Sequence, residues 1–341
     1  MSEEKVARKY TNNTGLSLFA QVFLGTDYYS RGNADVSVTT LIKPTRQVIL
    51  AGRVPPGDLI IDVEAQIANR IGAAVHDGHE RAWKRPIGEV RKTLMELGSP
   101  ARVASKVLVN PSQEEIDAMP GCIPCYTEVR FFKRIAGVMV SGQADFIGGG
   151  VVEDLKNTGS FKYMNTDGED YVKQGSMYKL LAPHIITKDH MNVTFNITDW
   201  SRMMSRTMGA KGYPPHRMLT KRYELWDAGT TEEWAGERIR LLQVYDQAPE
   251  TDIPPCTDKE LWRGDDQYKY YKKAADAHIP GKRSTKNFDT EREASERFHA
   301  DGGTGFIKKV PGQVKACLYC AGFSACTQKD ALIASGDLVL G

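Results

Sequence analysis

VMVSGQADFIGGGVVEDLK, Val138 to Lys156, is the stretch on which the reading of this chain turns. It holds two apolar runs, Val138–Val140 and Val151–Val152, bridged by Phe146-Ile147 and the turn Gly148-Gly149-Gly150, which is the pattern of a β-hairpin. Side chains alternate along a strand, so Val152, Asp154 and Lys156 share one face and Val151, Glu153 and Leu155 the other. Asp154, not Glu153, therefore stands beside Lys156. Asp145 ends the first strand, and folding back through the glycines brings it within about one cross-strand pair of Asp154. Two carboxylates and a lysine then converge. Hard oxygen ligands of this kind hold Mg2+ or Mn2+, which neutralises a phosphate and acidifies a water, and a neighbouring lysine can orient or deprotonate that water. The same string also suits a solvated surface hairpin, so the flanking residues decide its weight.

Upstream, Ile67, Ile71 and Val75, with Ile60 or Ile61, recur at helical spacing and predict an amphipathic helix over 60–85, with His76 and Glu80 one turn apart on it. His79 reads as an exposed residue. Downstream, Tyr171 to Leu181 predicts a second helix that aligns Gln174, Tyr178 and Tyr171 on adjacent turns. A strand over Val193–Ile197 follows. The order αβββαβ then implies an α/β fold with a mixed central sheet flanked by helices.

Taken in sequence, Gly72-x3-His76, Gly142-x2-Asp145, Asp154-x-Lys156 and Gln174-x3-Tyr178 resemble the PD-(D/E)xK nuclease superfamily, and within it the branch of recombination helicase-nucleases and CRISPR-adaptation nucleases. Val36 to Arg46 is similar to the opening segment of phage-encoded members, so the resemblance spans roughly residues 36 to 326. It implies that His76, Asp145, Asp154 and the Leu155 carbonyl bind Mg2+ or Mn2+, that Lys156 positions the water, and that Gln174 and Tyr178 hold the site and the DNA backbone.

Six cysteines are present, three of them as Cys317-x2-Cys320-x5-Cys326. A fourth ligand could come from Cys256 or from the pair Cys122-x2-Cys125, and four thiolates in this spacing fit an iron–sulfur cluster or structural Zn2+ alike. The chain shows no apolar signal segment and is long enough to build a core without staples, so disulfides are not expected. The resemblance favours a [4Fe–4S] cluster whose last three ligands are Cys317, Cys320 and Cys326. Its departure is the first ligand, which CRISPR-adaptation relatives place near the N-terminus; here no cysteine precedes Cys122. Phage relatives place it in a Pro-Cys-Thr followed by Glu-Leu-Trp, as in Cys256 and Glu260 to Trp262, which leaves Cys122 and Cys125 as spare thiols.

With 341 residues, 41% hydrophobic content and a net charge of +2, the chain suits one core with a small appendage rather than two equal domains. No apolar run nears the roughly 20 residues that span a bilayer, so a cytoplasmic protein, in the host cytoplasm if phage-encoded, is expected. The expected division is an N-terminal arm over 1–35, a nuclease core over 36–251 and a cysteine-tethered lobe and tail over 252–341. Cations cluster twice. Arg202, Arg206, Lys211, Arg217, Lys221 and Arg222 occupy an acid-free stretch that reads as a basic loop, either a wall for DNA or a solvated loop. Lys269, Lys272, Lys273, Lys282, Arg283 and Lys286 interleave with Tyr268, Tyr270 and Tyr271, as stacking aromatics or as an edge strand. Thr230 is expected to cap a helix running to about Gln247. The function implied is a metal-dependent DNA exonuclease of recombination or end processing, acting beside a single-strand annealing protein. A DNA-end-binding adaptation factor whose trimming needs a partner is the alternative.

Overall fold

The computed structural model describes residues 9–26, 32–55 and 60–340. In chain order it runs β1 (Lys9–Thr11), α1 (Leu18–Gly25), β2 (Val36–Ser37), α2 (Val38–Ile42), α3 (Thr45–Arg53), β3 (Ile60–Asp62), α4 (Ile67–Trp83), α5 (Ile87–Glu96), α6 (Ala101–Ala104), β4 (Val107–Val109) and α7 (Gln113–Ala118). The centre is β5 (Ile123–Ile135), β6 (Val138–Gly148), β7 (Val151–Thr158), α8 (Ser160–Asn165), α9 (Glu169–Leu181) and β8 (His190–Ile197). Then come α10 (Arg202–Met208), β9 (Met218–Glu224), α11 (Ala228–Tyr245), β10 (Gln267–Tyr271), β11 (Lys286–Phe288), α12 (Glu291–Ala300), β12 (Phe306–Val310) and α13 (Thr327–Ala334). Two compact units form: residues 1–43 with 56–241, and residues 44–55 with 242–341.

The first unit is built on a mixed sheet of order β4-β5-β6-β7-β8-β9, with β2 added beside β6. β4 runs parallel to β5 and β7 to β8, and the remaining central neighbours are antiparallel. The expected α/β class with a mixed sheet and flanking helices is therefore the one adopted. β8 follows a strict period of two, burying Met191, Val193, Phe195 and Ile197 completely while Asn192, Thr194 and Asn196 face outward. β6 is one continuous strand from Val138 to Gly148, so Phe146 and Ile147 belong to it rather than to a bridge. Gly149 and Gly150, at φ of 55° and 86°, make the two-residue turn into β7, which only residues tolerant of positive φ enter cheaply.

Four local expectations are corrected. Residues 60–66 do not extend α4: Ile60–Asp62 pair in parallel with Lys9–Thr11, and Asp62 accepts hydrogen bonds from Thr11 Oγ1 and Asn13 N, both at 2.9 Å, before a 3-10 turn leads into the helix. The expected arm over 1–35 contains β1 and α1, although its residues 1–8 and 27–31 lie outside the described ones. The basic stretch is not a loop but α10, a 3-10 turn and the outer strand β9. α11 is capped by Asp227, whose carboxylate accepts from Thr230 N at 2.9 Å and Thr230 Oγ1 at 2.6 Å, so Thr230 lies inside the first turn.

In the second unit, α3 packs its Ile49 and Leu50 against Ile253, Leu242 and Tyr245. Arg46, only 6% exposed, donates to the Ile253 carbonyl at 2.8 Å and pairs with the Glu250 carboxylate. A second cluster joins Leu261, Val314, Leu332 and Leu338. β10 proves to be the central strand of a sheet of order β11-β10-β12, not an edge, with Tyr270 and Tyr271 buried. No helix among the described residues is long and apolar enough to cross a membrane.

Candidate metal centre

The register of the central strands puts three carboxylates in one row. Thr127 pairs with Phe146 and Val129 with Ala144, so Glu128 on β5 stands opposite Asp145 on β6. Phe146 pairs with Glu153 as the last inward pair of β6 and β7, so the next position sets Asp145 opposite Asp154, where that ladder parts. The strands open there: Leu155 N donates to Asp145 Oδ2 at a long 3.4 Å. Glu128 adopts φ 52°, a left-handed conformation that a residue with a side chain enters only at a cost. It is the one site residue that the sequence reading missed.

α4 brings His76 to this row. Its Nδ1 lies 3.2 Å from Asp145 Oδ2, and ligand atoms of His76, Glu128 and Asp145 all fall within 4.8 Å of one another, the only such trio among the described residues. Glu80 instead pairs with Lys84. Gln143 Nε2 donates to Glu128 Oε2 at 2.7 Å and fixes that carboxylate.

α9 supplies the other side. Lys156 Nζ is 2.9 Å from Asp154 Oδ1 and 3.5 Å from Gln174 Oε1, while Gln174 Nε2 donates to the Tyr178 hydroxyl at 2.8 Å. The Lys156 ammonium also lies 5.8 Å from the Tyr171 ring centre. The structure brings Asp154, Lys156, Gln174 and Tyr178 into one hydrogen-bonded network. Its close fit depends on Gly142: a Cβ built there would sit 2.8 Å from the Tyr178 ring. Gly72, the glycine of the histidine motif, has open space where its Cβ would be.

The acids of this cluster are strongly desolvated. The Asp154 side chain is 2% exposed, and its buried Oδ2 accepts no hydrogen bond, its contact with Lys156 Nζ at 2.8 Å being an ion pair. Burial raises the Asp154 carboxyl above the usual range, Asp145 adds to this, and Lys156 offsets it in part. Burial would lower Lys156, but the Asp154 carboxylate reverses that and keeps the ammonium charged. Glu128 is raised by desolvation and then by Asp145, and His76 is raised by its hydrogen bond to Asp145. A half-buried row of acids with an orphaned oxygen beside a histidine is a donor set suited to Mg2+ or Mn2+.

Of the expected DNA-facing cations, Arg202, Arg206, Lys211 and Arg217 are exposed. Lys221 covers the Tyr163 ring at 3.9 Å and Arg222 pairs with Glu224 at 2.7 Å, so these two already have partners in the fold.

In the second unit, burial pushes the Cys256 thiol up to about 12, with Glu260 and then Cys326, Cys320 and Cys317 adding to the rise. No three of these four sulfurs lie within 4.8 Å of one another. Cys326 Sγ accepts from Arg46 Nε at 3.4 Å, and Cys256 is held through its backbone by the Gln328 amide on both sides, at 2.9 Å each. Cys122 and Cys125 lie in the first unit at the entry to β5, where burial pushes Cys125 up to about 11. All six cysteines are free thiols.

No family model and no curated protein matches this chain. Among solved structures it is similar to one described as "Crystal structure of SSO0001", at 15% identity and a TM-score of 0.36, covering 65% of this chain and 85% of that one.

Proposed function

We propose that this chain is a Mg2+- or Mn2+-dependent deoxyribonuclease of the PD-(D/E)xK type, acting as an exonuclease. The observation that carries the reading is the Asp154 carboxylate: buried, with one oxygen that accepts no hydrogen bond, beside a second acid and ion-paired with a lysine from the same strand face. A divalent cation held by His76, Glu128, Asp145 and Asp154 would supply charge neutralisation and Lewis acidity for phosphodiester hydrolysis. Lys156, anchored by Asp154 and Gln174, would hold the attacking water or a non-bridging phosphate oxygen. Gln174 and Tyr178 keep that lysine in line. The four motifs in order support DNA as substrate, as do the exposed Arg202, Arg206, Lys211 and Arg217.

For the second unit we propose a [4Fe–4S] cluster on Cys256, Cys317, Cys320 and Cys326, with structural Zn2+ as the alternative. The Cys317-x2-Cys320-x5-Cys326 spacing supports it, as do the four free, half-buried thiols and the contact of Cys326 with the Arg46 guanidinium, because a bound metal ionises coordinating thiols that burial would otherwise keep protonated.

The test is digestion of linear DNA by purified protein with Mg2+, Mn2+ or EDTA. Cleavage with either metal, lost in Asp154→Ala with DNA binding retained, is expected. An Asp154→Ala protein that cuts at the wild-type rate would sink the assignment, and wild-type protein that cuts only with a partner present would move the function to a DNA-end-binding factor.

A further inference from the structure

The small sheet of the second unit carries a group of cations that the metal centre does not use. Its two faces differ. Tyr270 is fully buried, and its hydroxyl donates to Asp301 at 3.0 Å, just beyond α12, so that face belongs to the helix. Lys269 and Tyr271 therefore lie on the other face. The register sets Lys269 directly opposite Lys308 on β12 and Asn287 on β11. Like charges facing each other across two strands destabilise a sheet, and among the described residues neither lysine has an acidic partner.

The chain after β10 then walls this face in. Its 3-10 turn Ala274–His278 and the residues up to 284 border an open cleft of about 730 Å3 lined by Lys269, Tyr271, His278, Lys282, Arg283 and Lys308, among others, with no acid in the lining. Asp276, on the same turn, stands 3.9 Å from Lys282 and offsets one charge only. The volume is that of a ligand-sized cleft, yet such clefts are usually lined by apolar groups. A cavity walled by lysines, which act as point charges rather than as bidentate readers, suits several phosphates along a strand and no particular base.

We propose that this cavity binds the phosphate backbone of a DNA strand as a second anchoring site, separate from the metal centre. The proposal rests on the nuclease reading only for the identity of the polyanion. Its measure is the salt dependence of binding, since each phosphate of a single strand that a cation no longer neutralises lowers the slope of log K against log salt by about 0.7.

The experiment is fluorescence anisotropy of a labelled oligo-dT strand with the full chain in EDTA, over a range of salt. The triple variant Lys269→Gln, Arg283→Gln, Lys308→Gln should lower the slope by about two units and the affinity by about a hundredfold near 0.1 M salt. A control triple, Lys272→Gln, Lys273→Gln, Arg292→Gln, removes the same charge from exposed positions outside the cavity and should keep the wild-type slope. Thermal melts confirm that both are folded. Equal slopes in the two triples would overturn the proposal. So would a wild-type protein that binds no strand. Cleavage is read separately on the wild type: protein that binds through the cavity but never cuts keeps this proposal and loses the nuclease reading, and the opposite result does the reverse.

Discussion

Glu128 and Asp145 face each other across β5 and β6, two acids in register with His76 beside them and Asp154 next along the row. Opposed carboxylates weaken a strand pair. Here the pairing is broken at that row, and Glu128 is driven to φ 52°. A left-handed residue and opposed acids thus stand together beside His76, a locally unfavourable arrangement.

Replacing Glu128 by glycine should therefore separate stability from metal binding. Glycine accepts a left-handed backbone that costs other residues roughly 1–2 kcal/mol, against about 1 kcal/mol for the lost Gln143 hydrogen bond. Metal-free Glu128→Gly is expected to melt at or above the wild-type temperature, while calorimetry shows Mn2+ affinity down tenfold or more. Unchanged Mn2+ affinity would remove Glu128 from the ligand set.

The His76–Asp145 contact predicts a pH signature in metal-free protein. Its folded pKa is raised by Asp145, so its stabilising contribution is complete below the unfolded value near 6.5 and is lost as pH rises through the higher folded value. Denaturant titrations across this window should show stability falling with pH in EDTA, and His76→Ala should flatten that trend. A wild-type profile that rises with pH there and is unaltered by the substitution would contradict the pairing.

The two motif glycines should behave oppositely. Gly142→Ala must push back the Tyr178 ring and Leu181, both within 2.9 Å of the new methyl, and should cost about 1–3 kcal/mol. Gly72→Ala meets nothing within 4 Å inside α4 and should stabilise by up to about 1 kcal/mol. Chemical denaturation of both variants checks the pair.

Cys256→Ser should abolish bound iron or zinc in anaerobically purified protein, and Cys122→Ser should leave the metal content intact. Brown protein with about four irons per chain would establish the cluster, and colourless zinc protein the alternative. Retention of full metal content in Cys256→Ser would remove Cys256 from the ligand set.

Period and local chemistry carried much of this protein into view from the sequence alone. The patterns in 138–156 and 193–197 announced strands, the glycine run 148–150 announced a turn, and the 3.6 spacing of Gln174 and Tyr178 set both on one helical face, because these patterns are imposed by neighbouring residues. Asp145, Asp154, Lys156, Gln174 and Tyr178 were legible for that reason. Glu128 was not. Its role follows from the register across the Ala136-Gly137 turn and from a left-handed φ that no residue type announces. The same limit hid the parallel pairing that shortened α4, the Asp227 cap, and the central position of β10, since each depends on a partner far along the chain or on a competing neighbour. Which residues could bind was written in the sequence; which of them meet was decided by strand register and helix packing, because only a folded backbone brings Glu128 within reach of His76.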